Sequence, residues 1–257
     1  MSNRRSHFGF RYVARHILPA LKLYSLDLKG PYRMSAHLPF DLLIDKSQIW
    51  QSAKFNSNNL LDYLGKNLDT WLRQCLADMG VQDSPIIKGS VHTGAFVTGQ
   101  VYIAEGATVE PTAFIQGPCV IGPGAEVRHG AYIRGNVWVG ANAVVGHTTE
   151  VKGSVFFDDA KAGHFAYVGD SILGLNVNLG AGTKLANLKL RGSDVQFKHP
   201  ITSDLMPTGL RKMGAILGDH SQTGCNSVLS PGTILMRNTA VLPCVHFQGT
   251  LTHGFAR

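Results

Sequence analysis

The sequence predicts an all-β fold, a left-handed parallel β-helix of hexapeptide repeats running from about Val91 to about Val241, preceded by a small α-containing segment. Two observations carry this reading. Every sixth residue from 91 onward is a β-branched aliphatic: Val91, Val97, Ile103, Val109, Ile115, Ile121, Val127, Ile133, Val139, Val145 and Val151. Four residues after each stands a small or β-branched residue: Ala95, Val101, Ala107, Ala113, Cys119, Ala125, Ala131, Val137, Ala143, Thr149 and Val155. One aliphatic and one small inward position per six residues marks a hexapeptide solenoid. Three hexads close one triangular coil, so residues about eighteen apart stack at roughly the 4.8 Å inter-strand spacing. Coils of this kind wind left-handed, against the usual crossover rule, and the period alone does not prove the hand.

Elements outside the repeat follow from local pattern. Phe40 to Ile44 reads as a short strand. Leu60, Leu61, Leu64, Leu68, Trp71, Leu72, Cys75 and Leu76 recur at helical spacing. With Asn58 or Asn59 as cap and Gly80 as terminator, this predicts one amphipathic helix over 59–79. Both segments are expected to pack on the coil. The six-residue beat slips near 157–169, then resumes at Leu173, Leu179 and Leu185. A break over 186–216 precedes Leu217, Thr223, Leu229, Leu235 and Val241. A long loop leaving a solenoid is expected to be functional or to contact a neighbour. The expected organisation is a basic extension over 1–33, a strand-plus-helix segment over 34–85, and the β-helix over 86–257 with its inserted loop.

Composition fits this plan. The chain has 257 residues, 29 of them glycine, and only 16% are charged, which favours a turn-rich β protein over a helical bundle. The net charge of +7 suits anionic small molecules better than nucleic acid, since no basic–aromatic run, zinc-finger spacing or helix-turn-helix pattern is present. No stretch reaches membrane-spanning length. Cys75, Cys119, Cys225 and Cys244 lie far apart without a Cys-x-x-Cys, as expected of reduced thiols in a cytoplasmic protein. The first 25 residues carry Arg4, Arg5, Arg11, Arg15 and Lys22 and no acid. They read as a basic extension, or as residues upstream of a start at Met34.

The stacking rule singles out outward positions. Arg134 and Lys152 should lie one above the other, and two stacked cations either splay into solvent or share an anion. Arg128 and His164 fall on one line if the register survives the slip. His129 and His147 also stack, which raises a metal site, but a third ligand is not evident and no metal is expected.

Residues 134–187 resemble the acetyltransferase domain of the bacterial bifunctional N-acetylglucosamine-1-phosphate uridyltransferase/glucosamine-1-phosphate acetyltransferase. The resemblance rests on Glu150-Val-Lys152, on Lys161-Ala-Gly-His164-Phe-Ala-Tyr167-Val-Gly-Asp170, and on Asn176-Val-Asn178-Leu-Gly-Ala-Gly-Thr183 followed by Asn187. Related β-helix domains of sugar-1-phosphate nucleotidyltransferases are similar too. Arg211-Lys212, ahead of Ile216-Leu-Gly-Asp219, stands where that family has a lysine.

The resemblance implies an acetyl-coenzyme A-dependent N-acetyltransferase acting on an amino-sugar phosphate such as glucosamine-1-phosphate, assembled as a homotrimer. His164 would be the general base and Glu150 its orienting partner. Arg134, Lys152 and Lys212 would clamp the phosphate, while Tyr167 and Asn178 would contact the sugar. Asn187 would hold the acetyl group, Ala181 and Gly182 would offer backbone N–H groups, and Cys225 would lie near the coenzyme. Gly9, Gly30, Gly65 and Gly80 are isolated, so the Gly-rich loop needed for uridylyl transfer is not expected. The 186–216 loop is longer than in that family, and Cys225 replaces a small hydroxyl residue. The alternative is a non-catalytic trimerising or regulatory β-helix.

Overall fold

The computed structural model describes residues 37–50 and 54–257; the basic extension over 1–33 lies outside the described residues. From Ile86 onward the chain winds as an all-parallel β-helix. Three sheets, of nine, nine and eight strands, form its faces. The first runs from Ile86–Ile87 to Thr250–Leu251, the second from Ser90–Val91 to Phe255–Ala256, and the third from Phe96–Thr98 to His246–Phe247. The prism interior is the row the period picked out, Ile103 through Val151, continued by Leu173, Leu179, Leu185, Leu217, Leu229, Leu235 and Val241. The coils run on past Val241 to Ala256, which joins the same core.

Two departures from the six-residue beat shape the middle of the helix. Tyr132 pairs with Glu150, a step of eighteen, but Val137 pairs with Ser154 and Glu150 with Tyr167, steps of seventeen. The corner after Lys152 has lost one residue, ahead of the expected slip at 157–169. Ser154 therefore takes the inward place expected of Val155 and Phe156 that expected of Phe157, while Val155 turns to the outer face of the first sheet. The corner after Gly169 is shortened too, so the next coil keeps the seventeen-residue step, Val155 pairing with Ile172.

The first sheet is buried on both faces. Its outward residues Val120, Trp138, Val155, Ile172, Ile216 and Ile234 form a second core with the segment before the coil and with Val195, Phe197, Met206 and Met213 of the insertion. Trp138 is fully buried there, ringed by Trp50, Phe55 and Trp71 at centroid distances of 5.2–5.9 Å. The 186–216 insertion is thus an intrachain cover, built around the antiparallel hairpin Gln196–Lys198/Leu205–Pro207. A double-sided apolar sheet is what a buried parallel sheet requires.

Two local expectations are corrected. Phe40–Leu43 is a single helical turn, not a strand. Pro39 precedes it, Asp41 lies in its first turn, and Phe40 and Leu43, three apart, share the buried face. The expected 59–79 helix is two pieces, a 3₁₀ turn Leu60–Tyr63 and an α-helix Gly65–Asp78. Asn59 caps the first by accepting from Leu61 N–H. Leu64 is extended and Gly65 has φ of 58°, so the chain re-aims between them.

Candidate active site

The shortened coil changes which side chains stack. His147 pairs with His164, so His164 joins the line begun by His129 and does not fall under Arg128 as the unbroken period implied. His129 and His147 stack at 4.1 Å between ring centroids. His129 Nδ1 is 3.0 Å from Glu110, and His147 Nδ1 is 3.1 Å from the His129 carbonyl. His164 thereby adds a third imidazole to the line. Even so, no group of three or more His, Cys, Asp or Glu among the described residues could hold a metal ion.

His164 is exposed, and among the described residues its ring has no hydrogen-bond partner. It lines an open groove of about 630 Å³ on the second sheet. Asn178, Ala181 and Cys225 line the same groove, together with Arg128 and Lys161. Gly163 and Gly180 leave the floor bare of side chains. Gly180 is required by contact as well, since a Cβ there would lie 2.5 Å from the Cys225 backbone nitrogen. Arg128 is tied to Glu126 at 2.7 and 2.9 Å, whereas Lys161 makes no ion pair among the described residues.

The backbone donors expected beside His164 are not equivalent. Gly182 N–H is spent on the His164 carbonyl, 3.0 Å away, because the coils must hydrogen-bond to one another. Ala181 N–H makes no such bond and is left to serve the groove. On the same line three coils earlier, the corresponding N–H of His129 donates outside the ladder, to the Glu110 carboxylate at 2.8 Å.

The remaining candidates gather around the corner on the third sheet. Lys152 Nζ donates to both carboxylate oxygens of Asp170, at 2.9 and 2.7 Å. Asn187 Nδ2 donates to the same carboxylate. Tyr167 stands beside them, its phenol held above its ordinary value by burial first and then by the Asp170 and Glu150 charges. Glu150 accepts from Arg134 at 2.6 Å, which raises the guanidinium's pKa. The Glu150 side chain bonds Arg134, not His164, among the described residues, and its strand lies on the third sheet between Tyr132 and Tyr167. Both stacked cations thus have carboxylate partners. Lys212 is exposed near the end of the insertion and makes no ion pair among the described residues. The sequence did not single out Asp170 as a partner of Lys152: the register partner of Lys152 is Gly169, and Asp170 stands one residue beyond it.

This arrangement defines a hexapeptide-repeat β-helix with a polar groove. Residues 115–204 match the family described as GMPPB C-terminal domain. The chain resembles a "Bifunctional sugar-1-phosphate nucleotidylyltransferase/acetyltransferase" from Sulfurisphaera tokodaii, 36% identical over 89 residues, covering 35% of this chain and 22% of that protein. It is also similar to two proteins named "Bifunctional protein GlmU". The one from Methanococcus maripaludis strain C7 is 46% identical over 158 residues, 60% of this chain and 37% of the relative. The one from Methanococcus vannielii is 31% identical over 244 residues, 94% of this chain and 50% of the relative. The chain therefore spans half or less of the length of these relatives. Among the described residues, no helix is long and apolar enough to cross a membrane.

Proposed function

We propose that the chain is an acetyl-coenzyme A-dependent N-acetyltransferase of amino-sugar phosphates, with glucosamine-1-phosphate as substrate, working as a cytoplasmic homotrimer in nucleotide-sugar synthesis. The observation that carries this is the unpaired His164 imidazole on the wall of a glycine-floored groove, one coil from the unspent N–H of Ala181. The relatives' names, which join nucleotidylyltransferase to acetyltransferase, support the same chemistry.

The sugar amine attacks the thioester carbonyl, forming the C–N bond. His164 takes the proton that the nitrogen sheds, and Ala181 N–H stabilises the developing oxyanion. The C–S bond then breaks, and the coenzyme thiolate leaves, to be protonated from the imidazolium. Asn178 and Tyr167 contact the sugar. Lys152, Arg134 and Lys212 supply charge for the phosphate, the first two by exchanging a carboxylate partner for it. Asn187 and Cys225 border the acetyl and coenzyme ends.

The test is release of free thiol from acetyl-coenzyme A on adding glucosamine-1-phosphate. Thiol release that depends on the sugar phosphate supports the reading, and none from a folded trimer rejects it. One observation favours a second reading, a non-catalytic trimerising or regulatory β-helix: Arg134, Lys152 and Asn187 already have partners within the chain. An intact trimer without thiol release is its expected result.

A further inference from the structure

We propose that Cys225 and Cys244 form a reversible thiol–disulfide pair at the C-terminal end of the groove, where the proposed transferase also places Cys225 near the coenzyme. Both are free and exposed, whereas Cys75 and Cys119 are buried. They occupy consecutive coils. Thr223 pairs with Val241 and Val228 with His246, which sets Cys225 beside Pro243 and Asn226 beside Cys244. Cys244 N–H donates to the Cys225 carbonyl at 2.8 Å. Neighbouring coils lie about 4.8 Å apart and one residue along adds about 3.3 Å. The two Cα atoms are therefore about 6 Å apart, inside the roughly 4.4–6.8 Å range that a disulfide spans.

The corner geometry also sets the direction of the second thiol. Cys244 is a left-handed corner residue with φ of 62°, on the same corner line as Thr148 and Asn226. At these corners the side chain leans back onto the preceding coil. Asn142 reaches over Gly124, Thr148 over Gly130, Asp170 over Gly153 and Asn226 over Gly182, each close enough to crowd a Cβ placed there. By the same geometry the Cys244 side chain leans back over Asn226, its register partner, next to Cys225 on the same coil. The buried thiols do not compete, because burial pushes Cys75 up to about 11 and raises Cys119 as well.

The oxidant is a low-molecular-weight disulfide. One cysteine thiolate attacks it, forming a mixed disulfide and expelling one small thiolate. The second cysteine thiolate then attacks the protein sulfur of that bond and expels the other. Two protein thiols are oxidised, one small disulfide is reduced to two thiols, and the cysteine protons end on the released thiols. Cys225 lines the groove, so closing the bond draws its sulfur along the wall toward the next coil.

The test treats the full chain with oxidised glutathione, blocks remaining thiols with N-ethylmaleimide, and maps the tryptic peptides without reduction. Peptides 213–237 and 238–257, released by cleavage at Lys212 and Arg237, are expected joined to each other within one chain, and separated again by dithiothreitol. Cys225→Ser and Cys244→Ser should each give a glutathione adduct on the remaining cysteine instead. Wild-type protein carrying two separate adducts, or cross-linked only between chains, would overturn the pairing.

Discussion

His164 is the register partner of His147 on the neighbouring coil, and among the described residues no hydrogen bond restrains its ring. Its place follows from the one residue lost after Lys152; a full eighteen-residue coil would have put Phe165 beneath His147. An imidazole held only by its backbone adds little to the prism, so His164→Ala should keep the fold. Turnover should drop by roughly 10²–10⁴-fold, the usual contribution of a positioned base. Glu150→Gln should mainly alter KM for the sugar phosphate, because Glu150 bonds Arg134 and not His164. Near-normal turnover from folded His164→Ala protein would reject the assignment.

The two cations on the third sheet should behave differently when removed. The Lys152–Asp170 pair is mostly sheltered, with side chains 22% and 10% exposed, and Asp170 also holds Asn187. Lys152→Ala strands that carboxylate and should cost about 1.5–3 kcal/mol of stability as well as raising KM for the sugar phosphate. Arg134 and Glu150 are 43% and 37% exposed, and such pairs contribute about 0.2–1 kcal/mol. Arg134→Ala should therefore raise KM with little change in Tm. Equal losses of Tm in the two variants would contradict this division.

The aliphatic period exposed the whole prism because its inward positions are almost all apolar, with only small hydroxyl residues such as Thr149 and Thr223 among them. The period failed where the chain shortens a corner, since Phe156 and Phe157 are both apolar and either could face inward. The burial of the first sheet on both faces was written in Val120, Trp138 and Ile172, which stand outside the inward series yet are apolar. What the repeat could not show was pairing between outward side chains. Arg134 and Lys152 stack as expected, yet each meets a carboxylate one strand away, and Gly182 spends its N–H on the coil before it.

Phe96, Phe114 and Tyr132 form a ladder on the outer face of the third sheet, with successive centroids 6.3 and 5.6 Å apart. They stay 64%, 39% and 41% exposed, an unusual concentration of aromatic surface for an uncovered face. If this face joins subunits, sedimentation velocity at micromolar concentration should show a trimer. Phe96→Ser/Phe114→Ser should shift it toward monomer while keeping the β-sheet circular dichroism. A wild-type monomer would rule out the shared assembly.

Two buried aspartates give the fold a pH dependence whose sign can be worked out. Asp158 accepts from the N–H groups of Trp50 and Ala141 at 2.6 and 2.9 Å. Asp219 accepts from those of Asp45 and Leu175 at 2.8 and 2.9 Å. Each therefore pins the segment before the coil onto a coil corner. Burial holds both carboxyls above their ordinary 3.8, more strongly than their N–H donors pull them down. With the folded pKa above the unfolded one, the folded chain binds more protons in the interval between them. Ionisation of these two groups thus opposes folding above the folded pKa, and stability is recovered as pH falls through that value toward 3.8. Asp45 and Glu110, whose carboxyls are lowered by hydrogen bonds, act in the opposite sense, so the effect must be read as a difference. Asp158→Asn/Asp219→Asn keeps a carbonyl acceptor at each site and cannot titrate. Wild-type stability relative to this variant, from urea midpoints, should rise as pH is lowered from neutral toward about 4. Asp219→Ala, which leaves two backbone donors without a partner, should be worse than Asp219→Asn at every pH, by about 1–3 kcal/mol. Parallel pH curves for wild type and the Asn variant would show that neither carboxyl is perturbed in the direction its burial requires.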